Sequence, residues 1–163
     1  MRLMPANYQT LADELTHLAN AADSPEHLMT IIVERLQDVL THYNWVGFYM
    51  LEDGADGAEP MLVLGPYVGA ATPHTRIPLH QGICGAAVSS AQTVVVDDVN
   101  SDPRYLACSL ETKSEIVAPI FVNGKVVGEL DIDSHLPAAF KEDDRQLVEQ
   151  CASLVGRYLE KAA

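Results

Sequence analysis

Two short segments set thiols among small residues, Gly82-Ile83-Cys84-Gly85 and Leu106-Ala107-Cys108-Ser109. Two further segments carry acids: Lys113-Ser114-Glu115 and the pair Asp131-Ile132-Asp133. Thiols and carboxylates gathered in one small domain point to redox chemistry on a small polar molecule. The rest of the chain reads as the scaffold that brings these groups together.

Each group has a functional and a structural reading. Cys84 falls at the start of a short helix, where backbone N–H groups and the helix dipole favour a thiolate; the other reading is a small apolar residue packed between glycines. Cys108 lies in a long polar connection with Ser109, Glu111, Lys113 and Ser114, the kind of segment in which functional groups concentrate. Cys84 and Cys108 together make a nucleophile and a resolving thiol. Cys151 falls on the apolar stripe of the last helix and reads as a buried structural thiol.

Asp131 and Asp133 alternate with Leu130 and Ile132, so a strand puts both carboxylates on one face. Carboxylates this close resist joint ionisation, and one of them can hold a proton at neutral pH. Glu115 is harder to place. An ideal two-residue turn at Asn123-Gly124 sets Glu115 opposite Ile132 and away from the aspartates, so a bulge or bend near Pro119 is required to bring it round. Trp45 and Tyr49 share a strand face and can wall a pocket or fill a core. His74 and His80 have no paired ligand spacing with Cys84, so no metal site and no cofactor is expected.

The elements that must position these groups follow in order. Apolar spacing predicts helices over Asn7–Ala22 and from Pro25 to about Thr41, the second with Ser24 as N-cap and Pro25 at its first position. Asn44–Leu51 and Met61–Leu64 read as strands, Gly65–His74 as irregular and Thr75–Leu79 as a short strand. Gly82–Ser90 reads as a short helix, Thr93–Val96 as a strand and Asp97–Lys113 as a long connection with one short helix. Ile116–Val122, Asn123-Gly124 and Lys125–Asp133 form a hairpin. Lys141–Lys161 is the last helix. This order predicts an α+β fold, a mainly antiparallel sheet with helices on one face and a loop-covered pocket on the other.

The 163 residues suit a single domain, spanning 1–163. Apolar residues make up 48% and charged ones 20%, a globular composition. A formal net charge of −13 repels phosphate backbones and disfavours a nucleic-acid partner. No apolar run spans a bilayer and the start lacks a signal-peptide core, so no membrane partner is expected and a cytoplasmic location is. Three cysteines are too few and odd in number for a disulfide framework.

At these residues the sequence resembles the GAF-domain family and, within it, the free methionine-R-sulfoxide reductases. The carrying motifs are Asn44-Trp45-Val46-Gly47-Phe48-Tyr49, Leu64-Gly65-Pro66-Tyr67, Gln81-Gly82-Ile83-Cys84-Gly85, Asp97-Asp98-Val99, Ala107-Cys108, Lys113-Ser114-Glu115-Ile116-Val117-Ala118-Pro119 and Asp131-Ile132-Asp133-Ser134. The resemblance implies a GAF fold and reduction of free methionine sulfoxide. It implies Cys108 as nucleophile, Cys84 as resolver and thioredoxin as reductant. Glu115, Asp131 and Asp133 match the acidic cluster for the substrate ammonium and sulfoxide oxygen, and favour a Glu115 that faces the pocket. Trp45 and Tyr49 match the wall around the substrate methyl, and Ser114 accompanies Glu115. A homodimer joined through its helices is implied as well. Where many members carry a third cysteine upstream of Gly-Ile-Cys-Gly, this chain has His74. A GAF module that binds a small effector and a peroxide-sensing thiol switch are the alternatives; the absence of an output domain before Ala163 counts against a one-piece sensor.

Overall fold

The computed structural model describes residues 4–106 and 110–162. Helices α1 (Ala6–Ala21) and α2 (Pro25–Val39) open the chain, and the Ser24 side chain accepts the His27 N–H as an N-cap, as expected. Strands β1 (Trp45–Glu52), β2 (Met61–Val68) and β3 (Arg76–Pro78) lead to the short helix α3 (Gly82–Ser90). Then come β4 (Val94–Val96), a 3-10 turn at Val99–Ser101, β5 (Ser114–Val122), β6 (Lys125–Ser134) and α4 (Glu142–Ala162). The strands form one sheet in the order β3-β2-β1-β6-β5-β4, every neighbour antiparallel.

Strand alternation sorts the side chains into two layers. Val46, Phe48, Ile116, Ala118, Ile120, Leu130 and Ile132 face α1, α2 and α4 and build the larger core with Leu15, Leu28, Ile32, Leu36, Leu147, Val148 and Val155. Cys151 is buried in this layer as expected, and burial pushes its thiol up to about 12. Trp45, Tyr49 and Val117 face the other way and pack with Ile77, Ile83, Cys84 and Ala87. The pocket face is therefore covered by α3 as well as by loops.

Two irregularities set the geometry of the sheet. Gly65 and Pro66, expected to end the strand, lie inside β2. Tyr49 pairs with Leu64 and Gly47 with Tyr67, so Gly65 and Pro66 together oppose Phe48 as a bulge. The second lies in the hairpin. Asn123 and Gly124 take φ of 52° and 80°, the expected turn. Phe121 then pairs with Val126 but Ile120 pairs with Gly128, leaving Val127 as an extra residue. This bulge sits in β6 at Val127 rather than near Pro119, and it shifts the ladder by one residue so that Glu115 pairs with Asp133.

One buried carboxylate ties the helical layer to the sheet. Asp144, in the first turn of α4, accepts the Lys141 N–H at 2.9 Å, the Tyr8 hydroxyl at 2.7 Å and the Tyr43 hydroxyl at 2.6 Å. Tyr8 belongs to α1 and Tyr43 lies at the entry to β1, so one side chain fixes three segments. Burial, together with the charge of Asp144, holds both phenols far above their usual range. Asp144→Ala uncaps α4 and leaves the Tyr43 hydroxyl buried without its acceptor. It should lower unfolding free energy in urea by about 2–4 kcal/mol, and an unchanged midpoint would contradict this role.

Candidate functional site

The hairpin and β1 lay a row of acids across the sheet face beneath α3. Glu115 pairs with Asp133, Val117 with Asp131 and Pro119 with Glu129 across β5 and β6. On the other side of β6, Trp45 pairs with Asp133, Gly47 with Asp131 and Tyr49 with Glu129. Cross-strand partners share a face, so four carboxyl groups and two aromatic rings line one surface. Glu115, Glu129, Asp131 and Asp133 are all buried, Glu129 completely.

Gly47 makes the aromatic wall possible. A Cβ there would lie 2.3 Å from the Trp45 ring. Without it the indole lies over Gly47 toward Tyr49, with ring centroids 6.2 Å apart and planes 28° apart. Trp45 Nε1 donates to the Ala70 carbonyl at 3.0 Å, and the Tyr49 hydroxyl donates to the His74 carbonyl at 2.7 Å. Both rings are thereby anchored to the segment that follows β2.

Helix α3 brings Cys84 down onto this row, where its Sγ donates to Asp131 Oδ2 at 3.4 Å. A narrow cavity of about 20 Å³, room for a single water or ion, is lined by Tyr49, His74, Ile77, Gly82, Cys84, Leu106, Glu115 and Asp131. A neighbouring cavity of about 90 Å³ lies at Trp45, Asn44, Thr72, Glu111, Thr112, His135 and Asp133. The first touches the acid row at Glu115 and Asp131 and the second at Asp133.

The helix-start argument for a Cys84 thiolate does not hold. Cys84 sits in the first turn of α3, but burial, followed by the charges of Asp131, Glu129 and Glu115, pushes its thiol well above the ordinary value. Burial also raises all four carboxyls. Glu115 is raised further by Asp131 and Asp133, and it is close enough to hydrogen-bond both. Those bonds lower Asp131 and Asp133 in turn, against the effect of burial. In Asp131 the hydrogen bonds from Glu115 and Cys84 oppose the rise that burial causes. Glu129 lies within reach of the Cys84 thiol, but the thiol proton goes to Asp131 Oδ2, so neither Glu129 oxygen has a donor among the described residues, and Asp131 Oδ1 and Asp133 Oδ1 likewise lack one.

The structure therefore gathers Cys84, Glu115, Asp131, Asp133, Trp45 and Tyr49 on one face, and adds His74 at the cavity wall. Cys108 lies outside the described residues. Ser114 lies on the opposite face from these groups. It pairs with Ser134 on the helix-facing side, where its hydroxyl donates to the Leu136 carbonyl at 2.6 Å and accepts the Ala139 N–H at 3.3 Å. It braces the connection to α4. His80 is exposed and lies 3.7 Å from Glu59, away from the cavity. Sequence reasoning missed Glu129, although the alternation that marks Asp131 and Asp133 continues one step back to it.

With this geometry in hand, three likenesses bear on the chain. The GAF domain family model matches residues 24–159. A protein of Escherichia coli (strain K12) named free methionine-R-sulfoxide reductase is 36% identical over 149 residues, covering 91% of this chain and 81% of that protein. The crystal structure of free methionine-R-sulfoxide reductase from Neisseria meningitidis, in complex with its substrate, superposes with a TM-score of 0.88 at 30% identity, over 100% of this chain and 97% of that one.

The acid row has a consequence for stability. A carboxyl raised by folding favours the protonated native state, so its stabilising contribution is complete below the unfolded value near ~4 and is lost as pH rises. Glu129→Gln removes one such group without changing its shape. The variant should match the parent in melting temperature near pH 4 and exceed it increasingly toward pH 8, by several degrees at about 1–3 kcal/mol. A constant difference across that range would refute the assignment of the cost to Glu129 ionisation.

Proposed function

The chain belongs to the GAF domain family, and on that footing we propose that it reduces free L-methionine-(R)-sulfoxide to L-methionine. The observation that carries this reading is the buried thiol–carboxyl cluster under an aromatic wall: Cys84 Sγ is 3.4 Å from Asp131 Oδ2, with Glu115 beside it and Trp45 and Tyr49 alongside. The likeness to proteins named for that substrate supports it.

Free methionine sulfoxide brings an ammonium, which the carboxylates of Asp131 and Asp133 lack and would attract. Its thioether end is apolar and suits the faces of Trp45 and Tyr49. Its oxygen leaves sulfur only when protonated, and Glu115, raised by burial and by Asp131 and Asp133, is placed to supply that proton. The Cys108 thiolate attacks the sulfoxide sulfur as Glu115 protonates the oxygen, and the S–O bond breaks with loss of water to leave a Cys108–methionine thiosulfonium. Water then attacks Cys108 Sγ and breaks the S–S bond, which releases methionine and a proton and leaves Cys108 as a sulfenic acid. The Cys84 thiol then attacks that sulfur, a disulfide forms and water leaves. Thioredoxin reduces the disulfide. The raised Cys84 thiol favours Cys84 as resolver and leaves the first attack to Cys108. The cavity in its present form holds one water, so entry of an amino acid requires Leu106, which packs over Gly82, to move aside.

A homodimer joined through its helices belongs to the same reading and rests on the resemblance; sedimentation equilibrium reads it directly. A cytoplasmic location, where thiols are kept reduced, fits the cycle. No described helix is long and apolar enough to cross a membrane.

The test is NADPH oxidation coupled through thioredoxin, with the free R-epimer, the free S-epimer and a peptide-bound sulfoxide in parallel. Turnover is expected on the free R-epimer alone. Glu115→Gln should lower kcat by about 10²–10⁴-fold. Cys108→Ser should abolish turnover, and Cys84→Ser should stop after one turnover under thioredoxin. No turnover on any substrate, with thiols shown reduced at the start, would overturn the reading. A switch that senses peroxide would instead still oxidise with Asp131→Asn and Asp133→Asn in place.

A further inference from the structure

We propose that the reduced protein binds one thiophilic divalent cation, of the Zn²⁺ class, through Cys84, Glu115 and Asp131. Each residue offers one ligand atom, Sγ or a carboxylate oxygen, and the three atoms lie within 4.8 Å of one another. All three residues are buried. The distance from Cys84 Sγ to Asp131 Oδ2 is 3.4 Å. A sulfur at ~2.3 Å and an oxygen at ~2.0 Å from a tetrahedral zinc stand about 3.5 Å apart. The adjoining cavity, about 20 Å³, holds one ion or water.

A second observation points to a positive occupant. Glu129 is wholly buried within reach of the Cys84 thiol, but that thiol donates its one proton to Asp131 Oδ2, so neither Glu129 oxygen has a donor of its own among the described residues. Asp131 Oδ1 is also buried and unpartnered. Buried acceptors left without donors are costly, and a divalent charge satisfies them together. Ligation by Cys84, Glu115 and Asp131 supplies three negative charges once the ligands release their protons, and a divalent ion offsets two. A thiolate among carboxylates prefers Zn²⁺ or Cd²⁺ to Mg²⁺ or Ca²⁺. With three protein ligands the fourth position stays open to water.

The ligands come from α3, β5 and β6, so no local spacing announces the site; the sheet register assembles it. The site exists only while Cys84 is a thiol, which makes cation binding a reporter of the reduced state. This inference goes beyond the reductase reading and does not depend on it, because its test reads metal rather than turnover.

The full chain, reduced with a phosphine, would be titrated with Cd²⁺ and followed by the ultraviolet thiolate-to-cadmium charge-transfer band, then competed with Zn²⁺ and Mg²⁺. One equivalent should bind, Zn²⁺ should displace it and Mg²⁺ should not. Cys108→Ser should retain the band and Cys84→Ser should lose it. Glu129→Gln should weaken binding by the roughly 10–100-fold typical of an outer partner, and Glu115→Gln or Asp131→Asn by more. Protein oxidised with diamide should not bind. The ¹¹³Cd resonance of the parent chain gives a reading that needs no variant, and a single-sulfur site is expected. No stoichiometric band, a band that survives in Cys84→Ser, a band lost in Cys108→Ser, or a two-sulfur resonance would each overturn the proposal.

Discussion

Burying a row of acids on one face of a sheet is the constraint to which the rest of the structure answers. Glu115, Glu129, Asp131 and Asp133 are withdrawn from water, and none pairs with a lysine, arginine or histidine among the described residues. Such groups persist only when stability comes from elsewhere or when a cation arrives. The opposite face of the same strands supplies the first. Phe48, Ile116, Ile120, Leu130 and Ile132 are fully buried against three helices, and each such side chain contributes about 1.5–3 kcal/mol. The second is left to whatever binds. A positively charged ligand therefore stabilises the fold in proportion to its affinity, and the ammonium of an amino acid and a metal ion make the same demand of the cluster.

The register of one hairpin decides whether the acids meet at all. With an ideal ladder after Asn123-Gly124, Glu115 would face the helices and sit in the hydrocarbon core. The extra Val127 shifts β5 from Ile120 back to Ser114 by one place relative to β6, and Glu115 comes opposite Asp133. The same shift puts Ile116 opposite Ile132 and Ala118 opposite Leu130, so the apolar faces also agree. Polar and apolar partners on both sides favour one register over the other by many side chains at once. The bulge is thus selected by the whole hairpin.

Much of this was legible in the residues. Ser24-Pro25 marks a helix start, Asn-Gly marks the hairpin, and alternation assigns Asp131, Asp133, Trp45 and Tyr49 to one face. Local rules failed where a long-range partner decided the outcome. Gly65 and Pro66 read as strand breakers because nothing nearby shows that Phe48 absorbs both in a bulge. The resemblance sets Ser114 beside Glu115, yet neighbours in a strand point to opposite faces, and its hydroxyl bonds into the connection to α4. For Cys84 the helix dipole favours a thiolate and packing between glycines favours a buried thiol. The dipole is worth at most about 2 kcal/mol, and burial beside carboxyl groups on two strands outweighs it. Glu129 was missed for a different reason: the alternation was stopped at the first pair of aspartates.

On the proposed reading, the charge state of the cluster also orders the two thiol steps. A thiol held well above its usual value attacks slowly unless a base takes its proton as it reacts. Asp131 accepts the Cys84 hydrogen bond at 3.4 Å, so it is the group placed to do so. While the substrate ammonium is bound, its charge favours ionised carboxylates, but the proton that Glu115 holds is directed to the sulfoxide oxygen. When methionine leaves, the ammonium leaves with it, and a proton from Cys84 is the nearest charge that can replace it on the acid row. Attack by Cys84 on the sulfenic acid then relieves the same electrostatic cost that substrate binding relieved before. The two half-reactions are coupled through one shared requirement of the buried acids for positive charge.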